Sequence, residues 1–76
     1  MQEMLLVMVR ALVDEPDAVR VDEIEEDGDL VFEITVDEDD LGRVIGRGGR
    51  VANALRSLAR AAAVREERRV LVDILD

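Results

Sequence analysis

Residues 30–36, Leu-Val-Phe-Glu-Ile-Thr-Val, constrain this chain more than any other stretch. Leu30, Phe32, Ile34 and Val36 share one face of an extended strand, and Val31, Glu33 and Thr35 share the other. A strand patterned this way needs cover on one side and tolerates water on the other. Before it lies Glu25-Glu26-Asp27-Gly28-Asp29, whose Asp-Gly step predicts a hairpin back to a strand carrying Val19, Val21 and Ile24. The cover must come from the segments with helical period. Leu5, Met8, Val9 and Leu12 recur at i, i+3, i+4 and i+7, predicting a helix from Met4 to Val13 that Asp14-Glu15-Pro16-Asp17 ends. Asp37 is a candidate N-cap, with acids through the turn after it. A short helix with Leu41, Val44 and Ile45 follows, then a longer one from about Arg50 to Val64 whose core face is Val51, Leu55, Leu58 and Ala62. Glu66-Glu67-Arg68-Arg69 leads to a last strand, with Val70, Val72 and Ile74 facing one way. The expected fold is α+β in the order α-β-β-α-α-β. A three-stranded sheet lies under three helices, in two layers around one core, as a single domain over residues 1–76. The pattern leaves open whether the second and third strands are neighbours.

Seventy-six residues stand near the lower limit for a core without staples, burying only about 60–65% of the extended surface. The chain has no cysteine and no histidine, which excludes disulfides, thiolate chemistry and ordinary zinc sites and reads as cytoplasmic. No metal or other cofactor is expected. The N-terminal MQEMLLVMVRALVDEP does not read as an export signal, because Glu3 stands where a basic region belongs and Arg10 breaks the apolar run. No stretch approaches the roughly 20 apolar residues that span a bilayer. The many carboxylates cluster around turns, without histidine, cysteine or lysine beside them, so the chain does not read as an enzyme. The Asp37–Asp40 run is explained by helix capping rather than by metal-assisted hydrolysis.

Net charge is −9, but its distribution is more telling. Residues 14–40 hold fourteen Asp and Glu and a single base, Arg20; residues 41–69 hold eight arginines against Glu66 and Glu67. One half is therefore acidic and the other carries a local balance of +6. The fold has two poles if that separation persists in space, one of them suited to phosphate.

Within the basic half, Gly42, Gly46, Gly48 and Gly49 fall within eight positions, and Arg47 and Arg50 flank the last two. Glycine permits positive φ and close approach of another chain. The start of a helix presents unpaired N–H donors and a positive end, so this loop can hold a phosphodiester. Such a contact clamps and positions a backbone and reads no bases. No Lys-Ser or Lys-Thr follows, and the glycines join two helices rather than a strand and a helix. Mononucleotide and dinucleotide loops are thereby excluded.

Ile45-Gly46-Arg47-Gly48-Gly49 resembles the I-G-x-x-G loop of KH domains, and the α-β-β-α-α-β order is similar to the type II form of that fold. The likeness covers essentially the whole chain. It is nearest to the small bacterial single-KH-domain RNA-binding proteins, the KhpA-like RNA chaperone family. Ala-Leu-Val-Asp-Glu-Pro at 11–16, Leu41-Gly42-Arg43-Val44-Ile45-Gly46 and the closing strand from Val70 to Asp76 carry it. The resemblance implies that the loop clamps the backbone of about four single-stranded nucleotides, with bases in a neighbouring apolar groove between the helices and a strand edge. By position the clamp is Gly46, Arg47, Gly48 and Gly49, with Arg50 beside it. Val44, Ile45, Val51, Ala54 and Ile34 are groove candidates. Gly48 departs from the polar or basic residue usual at that position and removes one phosphate contact. The family further implies self-association as a homodimer, a complex with a larger KH-containing RNA-binding protein, and roles in post-transcriptional regulation, cell shape and cell-wall homeostasis.

Other residues have two readings. Arg43, Arg56 and Arg60 extend the positive surface or solvate a helix face, and Asn53 either bonds a base or sugar or is simply exposed. Arg65, Arg68 and Arg69 are expected to pair with Glu66, Glu67 or the acidic half. Phe32, the only aromatic, belongs to the core, so no exposed stacking platform is expected. Ala52, Ala54, Ala59, Ala61 and Ala63 are either plain helix formers or a close-packing surface for a partner. Two functions remain open: single-stranded RNA binding, with DNA not distinguished, and a protein-interaction module that keeps the fold without needing RNA.

Overall fold

The computed structural model describes residues 1–76. Helix α1 (Gln2–Arg10) leads through a single 3₁₀ turn at Pro16–Ala18 into strands β1 (Arg20–Glu26) and β2 (Asp29–Thr35). A second 3₁₀ turn, Glu38–Asp40, opens helix α2 (Leu41–Ile45); a third, Arg47–Gly49, opens helix α3 (Arg50–Ala62), and strand β3 (Val70–Ile74) closes the chain. The α+β class and the α-β-β-α-α-β order are those expected.

The hairpin forms at the Asp-Gly step. Asp27 and Gly28 take φ of 52° and 84°, the two positive values of a type I′ turn, and Glu26 pairs directly with Asp29. β2 runs through the centre of the sheet, antiparallel to β1 and parallel to β3. The adjacency that the sequence left open is thus settled. A parallel neighbour requires a long crossover, and α2 and α3 supply it.

One parity of every strand faces the helices. Val21, Leu30, Phe32, Ile34, Val70 and Val72 join Leu5 and Val9 of α1, Val44 of α2, and Leu55 and Ala59 of α3 in one core. Phe32 is fully buried at its centre. Ile24 has the opposite parity from Val21 and lies on the uncovered face.

Two helical expectations need correction. Helix α1 ends three residues before Val13, so that Leu5 and Val9 are buried while Leu12 is exposed. On α3 the phase is rotated: Ala52, Leu55 and Ala59 face the core, while Leu58 is 49% exposed and Val51 only half-buried. Ala62 is exposed as well. Small Ala52 and Ala59 let α3 lie close on the sheet, and the larger side chains are displaced to its flank.

Asp37 caps as expected, its carboxylate accepting the N–H of Asp39 at 2.9 Å. Asp40 has a different task. It is 2% exposed, and its two carboxylate oxygens accept the N–H groups of Asp14 and Glu15 at 3.1 and 3.0 Å. This ties the α1–β1 connection to the start of α2, just upstream of the glycine loop.

Candidate nucleic-acid interface

The loop between α2 and α3 is built by three glycines at positive φ, each for a different reason. Gly46 (φ 77°, ψ 172°) occupies a region open essentially to glycine alone. A Cβ there would also stand 2.6 Å from Val51 Cγ2 and 2.8 Å from its backbone nitrogen. Gly49 (φ 80°, ψ 14°) turns the chain into α3, and Gly48 (φ 65°, ψ 19°) is left-handed in open space. Gly46 N–H bonds to the Gly42 carbonyl at 2.8 Å and Gly49 N–H to that of Gly46 at 3.2 Å. Between them Arg47 and Gly48 open a 3₁₀ turn, whose first N–H groups have no acceptor within the turn and receive no side-chain cap. No side chain caps the first turn of α3. The result is an exposed tip at which an uncapped turn runs into a positive helix end, an arrangement that attracts an anion.

The arginines divide into paired and free. Arg43 bonds to Asp14 at 3.0 Å and lies 3.7 Å from Asp40, so its charge is already compensated by the acidic half. Arg68 pairs with Glu25, and Arg69 with Asp29 at 2.6 Å, which ties the α3–β3 connection to the hairpin. These hydrogen bonds hold both guanidinium pKa values above the ordinary one. Arg65 forms no ion pair, contrary to its expected pairing. Arg47, Arg50, Arg56 and Arg60 form none either, and Arg47, Arg50 and Arg60 are exposed.

Helix α3 presents different flanks on either side of its core stripe. Toward β3 it carries Asn53, Arg56 and Arg60. Arg56 Nε donates to the Val72 carbonyl at 3.3 Å, and its terminal nitrogen donates to Asn53 Oδ1 at 3.2 Å. A small groove of about 150 Å³ lies here, lined by Arg56, Arg60 and Val70 to Val72. Strand β3 is an edge. Arg69 O and Leu75 N bond to β2, and the alternation of a ladder turns the backbone polar groups of Val70, Val72 and Ile74 outward. Toward α1 the helix carries Val51, Ala54 and Leu58, which with Met8, Ala11 and Leu12 line an apolar hollow of about 430 Å³.

The groove candidates therefore do not form one surface. Val44 and Ile34 are fully buried and unavailable to any ligand. Val51 and Ala54 lie on the α1 flank, away from the strand edge. Ile45, 37% exposed, stands beside the loop. Gly46, Arg47, Gly48, Gly49 and Arg50 lie together at the tip, and Asn53 stands one turn further along α3, within 3.8 Å of the position a Cβ on Gly49 would take. What sequence reading could not supply is the outward backbone of Val70 and Val72. Their side chains follow a core pattern, and edge status depends on strand order.

Comparison with known proteins gives the family of the fold. Residues 2–74 match the family described as KhpA/KhpB, KH domain. The RNA-binding protein KhpA of Caldanaerobacter subterraneus subsp. tengcongensis is 45% identical over 75 residues, covering 99% of this chain and 100% of the relative. That of Clostridium acetobutylicum is 41% identical over 75 residues, with the same coverage. That of Halalkalibacterium halodurans is 53% identical over 66 residues, 87% of either chain. With residues 2–74 matched and relatives similar over nearly its whole length, the chain belongs to the KhpA/KhpB family of KH domains, which is not an enzyme family.

Proposed function

We propose that this single domain binds single-stranded RNA, gripping its backbone at Gly46, Arg47, Gly48 and Gly49. The observation that carries the reading is the uncapped turn opened by Arg47 and Gly48, at an exposed tip where Arg47 and Arg50 form no ion pair. Phosphates on this tip lead the strand toward Asn53, Arg56 and Arg60 and the edge of β3. There the bases meet the outward backbone of the β3 edge, with the apolar Ile45 beside the loop. Arg43 stands at the margin, its charge shared with Asp14. The names of the relatives, RNA-binding proteins all, support RNA over DNA as the ligand.

No aromatic side chain is available for stacking, so one domain binds weakly and with modest sequence preference. Self-association compensates through effective concentration. The apolar α1–α3 hollow, with Leu58 and Leu12 at its rim, supports a homodimer or a complex with a larger KH-containing partner. No helix is long and apolar enough to cross a membrane. A cytoplasmic RNA chaperone or post-transcriptional regulator, acting on cell shape and cell-wall homeostasis, is the role that the family likeness favours.

The test is fluorescence anisotropy of labelled single-stranded RNA pools at two salt concentrations, comparing the natural chain with Arg47→Asp/Gly48→Asp after circular dichroism confirms folding. Binding that weakens with salt and disappears in the variant supports the clamp. Equal binding by the variant, or none by the natural chain at high micromolar concentration, overturns it.

A further inference from the structure

The face of the sheet opposite the helices is ordered in rows that the RNA reading does not use. Strand register places Ile24 opposite Val31 and Val31 opposite Leu71, an apolar row running across all three strands. Leu71 is 37% exposed and Ile24 half-buried, and Val31, 8% exposed, lies between them as the floor of the row. Immediately beside this row the same register sets Asp22 opposite Glu33 and Glu33 opposite Asp73. On its other side Glu26, Asp27 and Asp29 border a hollow of about 490 Å³ whose floor includes Val31 and Leu71. Only Arg20, 3.4 Å from Asp22, and Arg69, bonded to Asp29, offset these acids.

Like charges directly opposite one another across strands oppose folding. A face needed only for solubility would be better served by mixed charges or threonine. An apolar stripe between two acidic borders instead matches a complementary surface: apolar side chains flanked by bases. Nucleic acid and anionic membranes are repelled by it. A sheet-to-sheet dimer would set acid against acid. No group of three carboxylates converges closely enough to hold a metal ion. A second copy could offer only its arginine flank, an open-ended contact that would cover the RNA-binding surface.

We propose that the open sheet face docks a basic protein segment, its apolar side chains on Ile24 and Leu71, over Val31, and its arginines or lysines on Asp22, Glu33 and Asp73. The site is separate from the glycine loop and does not depend on it.

The probe is a soluble synthetic peptide with leucines spaced between arginines and lysines, titrated into the isotope-labelled chain and followed by amide NMR shifts. A control peptide replaces each leucine by serine. Docking requires shifts concentrated at Ile24, Val31, Glu33, Leu71 and Asp73, and about fivefold tighter binding than the control. Leu71→Ser should weaken binding by a similar factor. Glu33→Gln should weaken it while raising the melting temperature, a pairing that a purely structural glutamate would not give. Arg47→Asp/Gly48→Asp should leave binding in place, which separates this site from the clamp. Equal binding by the serine control, shifts spread equally over Asp37–Asp40, or indifference to Leu71→Ser would each overturn the proposal. Concentration-dependent self-association through the sheet and the Arg47–Arg60 surface would assign the face to a second copy and overturn it as well.

Discussion

At the scale of single residues, the three loop glycines are not equivalent, and the structure ranks them. Gly46 combines a glycine-only backbone with a Cβ position inside contact distance of Val51. Gly46→Ala should therefore destabilise the domain by about 3 kcal/mol, combining backbone strain with overpacking; urea denaturation checks this. Gly48 meets no neighbour and pays only for its left-handed backbone. Gly48→Lys should cost about 1 kcal/mol of stability. It should nevertheless tighten RNA binding by adding a cation at the uncapped turn, steepening the log-log salt slope by about 0.7. An unchanged slope in the anisotropy titration would mean that residue 48 does not face phosphate. The sequence made the loop's composition and basic flanks legible, because glycine and arginine declare their chemistry locally. It could not show that Arg43 is held by Asp14 and Asp40, since that pairing depends on packing across the chain.

At the scale of elements, β2 and its hairpin were the most readable, because alternation and an Asp-Gly step are local signals that tertiary packing reinforces. The helical period locates α3 but not its phase. Its largest apolar residues suggested a core face at Val51 and Leu58, whereas close packing on the sheet selected Ala52, Leu55 and Ala59. That rotation gives the helix one flank for α1 and another for the β3 edge. Leu58 is half-exposed, so Leu58→Asp should change the stability of the isolated domain by only about 0.5 kcal/mol. It should shift the chain toward monomer in sedimentation velocity if the α1–α3 hollow is the self-association surface. An unchanged sedimentation profile would remove that surface from the account. The side-by-side pairing of β2 and β3 was not legible, because both orders satisfy the same hydrophobic pattern.

Across the whole molecule, the charge halves of the sequence are only partly separated in space. Arg43, Arg68 and Arg69 fold back onto Asp14, Asp40, Glu25 and Asp29, while Arg47, Arg50, Arg56 and Arg60, around the loop and the β3 edge, form no ion pair. A chain of net charge −9 thus keeps a local cationic surface within an acidic body. Salt should consequently act with opposite signs on its two properties. Screening relieves the self-repulsion of the acidic body and should raise the melting temperature. The same salt should weaken RNA binding by restoring the counterions that the arginines displace. A melting temperature that falls with salt would show instead that attractive pairs outweigh the repulsion. The central claim, that RNA is gripped at the glycine loop and led along the α3–β3 edge, is tested most directly by amide NMR mapping with a short single-stranded RNA. The account requires shifts at Gly46 to Arg50, continuing through Asn53 and Arg56 to Val70 and Val72. Shifts confined to the α1–α3 hollow, or none at saturating RNA, would contradict it.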